Sequence, residues 1–241
     1  PHLHMQFQNT PSIGSNTIDY PFSSLVMQNE SSYSLETVSN PKKNAEVSNL
    51  TPLDTLRDAF HFIPGAEIKF EAEENSNITE HLWRIEADIY NNTYIVCEKS
   101  NDTAFFKSIG DIFYFTYFKG GTSSLLYYFY LSAFKLAMTY YPNMKIVDSY
   151  PLNVFPNKQL LFFQDFAITF HKFLSANYSI LYFKNEDLID YNRITLKSSA
   201  EFGIGQLKSR SLDFTIIAGK LGIEKFIVDG AGNSIVATRK F

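Results

Sequence analysis

From Glu67 onward polar and apolar positions alternate. Ile68, Phe70 and Ala72 oppose Glu67, Lys69, Glu71 and Glu73, the period-two signature of a strand with one dry and one wet face. The pattern returns at Trp83, Ile85, Ala87 and Ile89, set against Leu82, Arg84, Glu86 and Asp88. Asn91 and Asn92, residues that tolerate positive φ, then turn the chain into Tyr94-Ile95-Val96-Cys97, which predicts a hairpin. Asp111 to Phe118 is apolar on both faces and predicts a central strand.

Three stretches carry a helical period instead. Thr51 is placed to cap, Pro52 fits a first helical position, and Leu53, Leu56 and Phe60 recur on one face before Pro64-Gly65. Thr122 to Tyr141 has apolar residues nearly all round, with only Ser124, Ser132, Lys135 and Thr139 opposite, which predicts a helix enclosed by other elements. Lys158 to Ser175 predicts a further helix on Leu160, Phe163, Ala167, Phe170 and Leu174, while Leu160, Phe162, Phe166, Ile168 and Phe170 also permit a strand. Strands follow at Met144 to Asp148, before that helix, and afterwards at Ile180 to Phe183, Ile194 to Ile204, Leu212 to Ala218, Ile223 to Val228 and Ile235 to Thr238.

The expected fold is therefore α+β: one domain over residues 51–241, with a largely antiparallel sheet packed against two apolar helices. Residues 1–50 are rich in Ser, Asn and Thr without period and read as an irregular leader, headed by a cloning remnant, Pro-His-Leu-His-Met.

Composition narrows the function classes. At 241 residues and 45 % apolar content the chain can build a sizeable core. A formal charge of -4, with no basic cluster larger than Lys42-Lys43, argues against nucleic acid as a partner. Leu125 to Tyr141 is shorter than the ~20 residues of a bilayer span, so no transmembrane segment is expected. A single cysteine, Cys97, rules out an intrachain disulfide framework. Glycosylation sequons at Asn29, Asn49, Asn77, Asn91, Asn101 and Asn177 favour an extracytoplasmic protein; a bias toward Asn, Lys, Ile, Tyr and Phe accounts for the same residues.

Lys119-Gly120-Gly121-Thr122-Ser123 precedes a predicted helix, where backbone amides, a lysine and hydroxyls suit an anion. The spacing matches neither phosphate-loop motif, and two glycines followed by a Thr122 cap explain the same residues as a bend. Cys97 with His171 and Asp165 forms a candidate dispersed hydrolase or transferase site, with His61 and His81 as other bases; an apolar strand setting favours a structural cysteine. His81 with Glu80, Glu86 and Asp88 does not converge into a metal site, and the acidic run from Glu67 to Glu74 reads as a wet strand face. No cofactor is implied.

The 23 Phe and 15 Tyr crowd most densely between Phe105 and Phe183. Adjacent pairs such as Tyr127-Tyr128 and Tyr140-Tyr141 are expected to bring some rings to a surface. The functional expectation is a noncatalytic module, a soluble part of a larger or membrane-anchored protein, that binds a protein partner or a small apolar ligand; a carrier with an apolar pocket between the sheet and the 122–141 helix, and the dispersed-site enzyme, are the alternatives.

Overall fold

Alternation in the second half of the chain builds long strands whose inward residues are buried: Leu174, Ala176, Tyr178, Ile180 and Tyr182, then Ile194, Leu196, Ser198, Ala200 and Phe202. The computed structural model describes residues 7–12, 14–18, 21–167, 172–184, 193–230, 232 and 234–241. In chain order the elements are β1 (Phe7–Gln8), β2 (Thr17–Ile18), β3 (Phe22–Asn29), β4 (Ser32–Ser39), β5 (Val47–Asn49), α1 (Asp54–Phe60), β6 (Glu67–Glu74), β7 (Asn77–Ala87), β8 (Thr93–Cys97), β9 (Asp102–Ile109) and β10 (Ile112–Lys119). There follow α2 (Leu125–Ser132), β11 (Lys135–Ala137), β12 (Met144–Ser149), a 3-10 turn at Leu152–Val154, α3 (Lys158–Ala167), β13 (Leu174–Lys184), β14 (Ile194–Ile204), β15 (Leu207–Gly219), β16 (Gly222–Asp229) and β17 (Ile235–Lys240).

Strands β6 to β11 and β12 to β17 each run as an antiparallel meander, and β17 pairs with β6 through Ala237↔Ala72 and Thr238↔Glu71, joining the two. The twelve strands curl round until β11 and β12, the ends of the series, stand side by side. β9 and β10 on one side and β14 and β15 on the other all touch α2, so the helix runs down the inside of the curl. Right-handed twist supplies the curvature, sharpened by register shifts at Phe115/Tyr117, Phe202/Gly203 and Ile217/Ala218. About eight strands is the width that wall side chains alone can fill, so a ring of twelve needs a filler. Every residue of α2 is buried. Phe70, Trp83, Phe129 and Phe226 form a line of ring contacts from wall through helix to wall, with centroid spacings of 4.7, 5.0 and 5.8 Å.

The α+β expectation is corrected: the chain is mostly β, 56 % strand against 13 % helix, and the described residues form one 15-stranded mixed sheet, a separate β1–β2 pair and three helices. The predicted helix of residues 122–141 delivers only Leu125–Ser132, because Ala133 closes it on Phe129 O (3.0 Å) and Lys135 then joins β10 as a strand. An apolar run without polar spacing satisfies a helix and a buried strand equally, and packing decides. Likewise α3 is described over Lys158–Ala167, and Leu174 and Ser175 open β13; Ile168 and Phe170 fall outside the described residues. Strand β9 has no counterpart among the predicted elements.

The leader is not irregular. β3, β4 and β5 extend the main sheet, with β4 lying parallel to β12 through Met144↔Tyr33 and Lys145↔Ser34, the pairing that makes the sheet mixed. Helix α1 starts later than predicted: Asp54 is its first residue, Leu53 stands at the cap without a side-chain bond, and Leu53 N–H donates to Met138 O at 2.8 Å.

Candidate functional site

The Gly-Gly turn sits at the end of the ring where α2 enters. Asp102, the first residue of β9, is buried and accepts the Gly121 N–H on Oδ1 at 3.0 Å. A Cβ on Gly120 would stand 2.1 Å from that oxygen, so only glycine lets the carboxylate approach. The helix cap is Ser124 and not the predicted Thr122: Ser124 Oγ accepts from Tyr127 N (3.1 Å) and donates to Gly121 O (3.4 Å). Lys119 and Ser123 are exposed and Thr122 is half-buried. An incoming anion would meet the Asp102 carboxylate already on the turn, which weighs for the bend and against the cradle.

Tyr127 and Tyr128, expected to reach a surface, are both buried, because α2 has wall on every side. Tyr127 donates its hydroxyl to Val154 O at 2.7 Å, and burial pushes its phenol well above the usual tyrosine range. Tyr140 and Tyr141 are half-buried.

Cys97 points into the ring from the end of β8, 1 % exposed, with Sγ 4.0 Å from His81 Nδ1. His81 Nε2 lies 3.0 Å from Thr79 Oγ1, and burial, aided by the nearby Lys99 charge, lowers the imidazole pKa and keeps it neutral at pH 7. Asp165 is exposed on α3, and His171 lies outside the described residues. The fold thus brings Cys97 to His81, not to Asp165. A cleft of about 650 Å³ beside this layer is lined by Glu74, Asn77, Thr79, His81, Lys99 and Ser123. Among the described residues no group of three or more His, Cys, Asp or Glu side chains could hold a metal ion, and no helix is long and apolar enough to cross a membrane.

A different place combines apolar walls with converging polar groups. Between β11 and β12, where the described residues form no backbone ladder, a cavity of about 360 Å³ opens toward β3 and β4. Val38, Ile112, Tyr114 and Phe134 supply its apolar wall. Lys135 Nζ lies 2.7 Å from Asp148 Oδ2 and 2.7 Å from Thr37 Oγ1 at its polar edge. Those residues come from β4, β10, β12 and the chain around β11, so no local motif marks them. The one sequence signal is Lys135 itself, a cation inside an otherwise apolar segment.

Comparison with protein-family models, curated proteins and solved structures finds no match to this chain. The architecture stands as a class by geometry: a twelve-strand antiparallel ring filled by its own helix and extended by an N-terminal three-stranded flap.

Proposed function

We propose that this chain is a noncatalytic ligand-binding module whose ligand sits in the seam cavity between β11 and β12. The observation that carries the reading is the combination there of apolar wall and a partly buried lysine. Lys135 has three N–H donors, of which Asp148 and Thr37 take two, leaving one for a ligand acceptor. The matching ligand is small and mainly apolar or aromatic, with an anionic or acceptor end. The cavity volume lies within the usual range for such sites. Close packing around α2 supports this external position over a carrier pocket between the sheet and that helix. Burial of Cys97 and exposure of Asp165 weigh against the enzyme alternative.

Calorimetric titration with 1-naphthoate tests the reading. Binding should weaken roughly tenfold in Lys135→Met, the loss expected for one charge-assisted hydrogen bond, and vanish in Val38→Trp, which fills the cavity. No binding to the parent protein, or unchanged binding in both folded variants, overturns it.

A further inference from the structure

Strand β7 outlasts its neighbour. Trp83↔Cys97 is the last pair of its ladder with β8, and residues 77–81 run on with β6 on one side and, among the described residues, no strand on the other. Trp83 and Cys97 are both buried, and His81, two residues before Trp83, lies on the same side of β7. That places the imidazole beside the thiol, with Nδ1 4.0 Å from Sγ. Two clefts, of about 680 and 650 Å³, border this place, and His81 and Lys99 line both.

A thiol is only a weak donor, and at 4.0 Å the contact holds neither side chain firmly. The ring is held from its other end, where Nε2 lies 3.0 Å from Thr79 Oγ1. Facing an S–H, Nδ1 of the neutral ring is the acceptor, so the ring proton sits on Nε2 and is donated to Thr79 Oγ1. A metal-ligating histidine is built this way, one nitrogen fixed by a hydrogen bond and the other offering its lone pair. Bonds from a d10 metal ion to thiolate sulfur and to imidazole nitrogen are each about 2 Å, so two set end to end span the gap between Sγ and Nδ1.

Ligand count and charge choose the ion. Among the described residues no third His, Cys, Asp or Glu joins the pair, which falls short of the four ligands of a structural zinc site. As a monovalent ion binds, the thiol gives up its proton to solvent and the sulfur–metal bond forms in its place, so the buried pair stays neutral and no oxidation state changes. A divalent ion would leave a net positive charge there, close to the Lys99 ammonium. Thiolate sulfur is a soft ligand and selects Cu+ among the monovalent ions.

We propose that Cys97 Sγ and His81 Nδ1 form a two-coordinate site for Cu+, reached through the clefts at the end of β7. The site is independent of the seam cavity.

The test supplies Cu+ without oxygen as its bicinchoninate complex and follows the emission of Trp83, the only tryptophan and the residue opposite Cys97 in the ladder. The parent should withdraw one equivalent of Cu+, with quenching of Trp83 in step, and should take up no Zn2+. Cys97→Ala should withdraw none, and His81→Gln, which removes one of two ligands, should bind at least about tenfold more weakly. Thr79→Val keeps both ligands and releases the nitrogen behind them; it should lose about tenfold in Cu+ affinity with little change in thermal midpoint, which keeps the test alive if a ligand variant fails to fold. A parent that leaves Cu+ with bicinchoninate, parent-like affinity in His81→Gln or Thr79→Val, or tighter uptake of Zn2+ than of Cu+ would each overturn the proposal.

Discussion

Lys135 on β11 and Asp148 on β12 form an ion pair, Nζ to Oδ2 2.7 Å, across the one junction of the twelve-strand ring that carries no backbone ladder among the described residues. The same ammonium reaches Thr37 on β4, so a single side chain ties the two ends of the ring to the flap that extends them. The pairing edge of β12 is partly taken by β4, which leaves side chains to hold the seam.

Removing that ammonium should loosen the seam. Lys135→Met leaves Asp148 and Thr37 without their shared donor, and hydrogen bonds to charged groups contribute about 1.5–3 kcal/mol. With Asp148 about a third exposed, the lower end applies, so a loss of about 1.5 kcal/mol is expected in urea denaturation. Equal stability of the two proteins would assign the closure to apolar packing alone.

Gly120→Ala should destabilise more than an ordinary glycine substitution in a turn. The added methyl meets the Asp102 carboxylate, and φ at this position is +154. Displacing Asp102 also forfeits its bond to Gly121 N–H, for a combined loss of about 2–4 kcal/mol. The double variant Gly120→Ala/Asp102→Ala should recover part of this, which a double-mutant cycle in denaturant measures.

His81 predicts an acid sensitivity of known sign. Its folded pKa lies below the ordinary histidine value of 6.5, first because the ring is half-buried and second because Lys99 is near. The folded state therefore resists protonation more than the unfolded chain does. Stability from neutral His81 is fully present above pH 6.5 and is lost as pH falls through the lowered value. The urea midpoint of the parent should drop between about pH 7 and pH 5, and the drop should be shallower in His81→Gln.

The buried tyrosines predict the opposite limb. Tyr127, Tyr130, Tyr150, Tyr178 and Tyr182 all have phenols raised by burial, so their contribution holds below the ordinary value of 10 and is lost at higher pH. Absorbance at about 295 nm should show these phenolates appearing together with unfolding, not in a gradual titration. Tyr127→Phe, which frees Val154 O, should cost about 1 kcal/mol.

Strands β6, β8, β14 and β16 are close to what their alternating residues announce, because period-two patterning records which side of a strand faces the core; β7 begins five residues before its expected start. The aromatic pair Tyr127-Tyr128 misleads for a physical reason: a helix packed on one sheet has a wet side, whereas a helix inside a ring has none. Composition within α2 predicts enclosure and does not say that the enclosure is complete. The seam cavity is illegible in the sequence, since Thr37, Ile112, Phe134 and Asp148 meet only when the ring closes. So is the orientation of α3, whose predicted stripe is split: Leu160 packs against the core and Gln164 is held inward, while Phe163 is exposed.

By itself, then, the order of residues determined β6, β8, β10, β14 and β16, the lone buried thiol and the need to hide the 125–132 segment. Local periodicity is a property of neighbours in sequence, and these features are local. Tertiary structure alone decided that fifteen strands join one sheet, that twelve of them curl round a helix, and that Lys135 meets Asp148 at the closure. Those outcomes depend on accumulated twist and on edges competing for partners, which no short window of sequence contains.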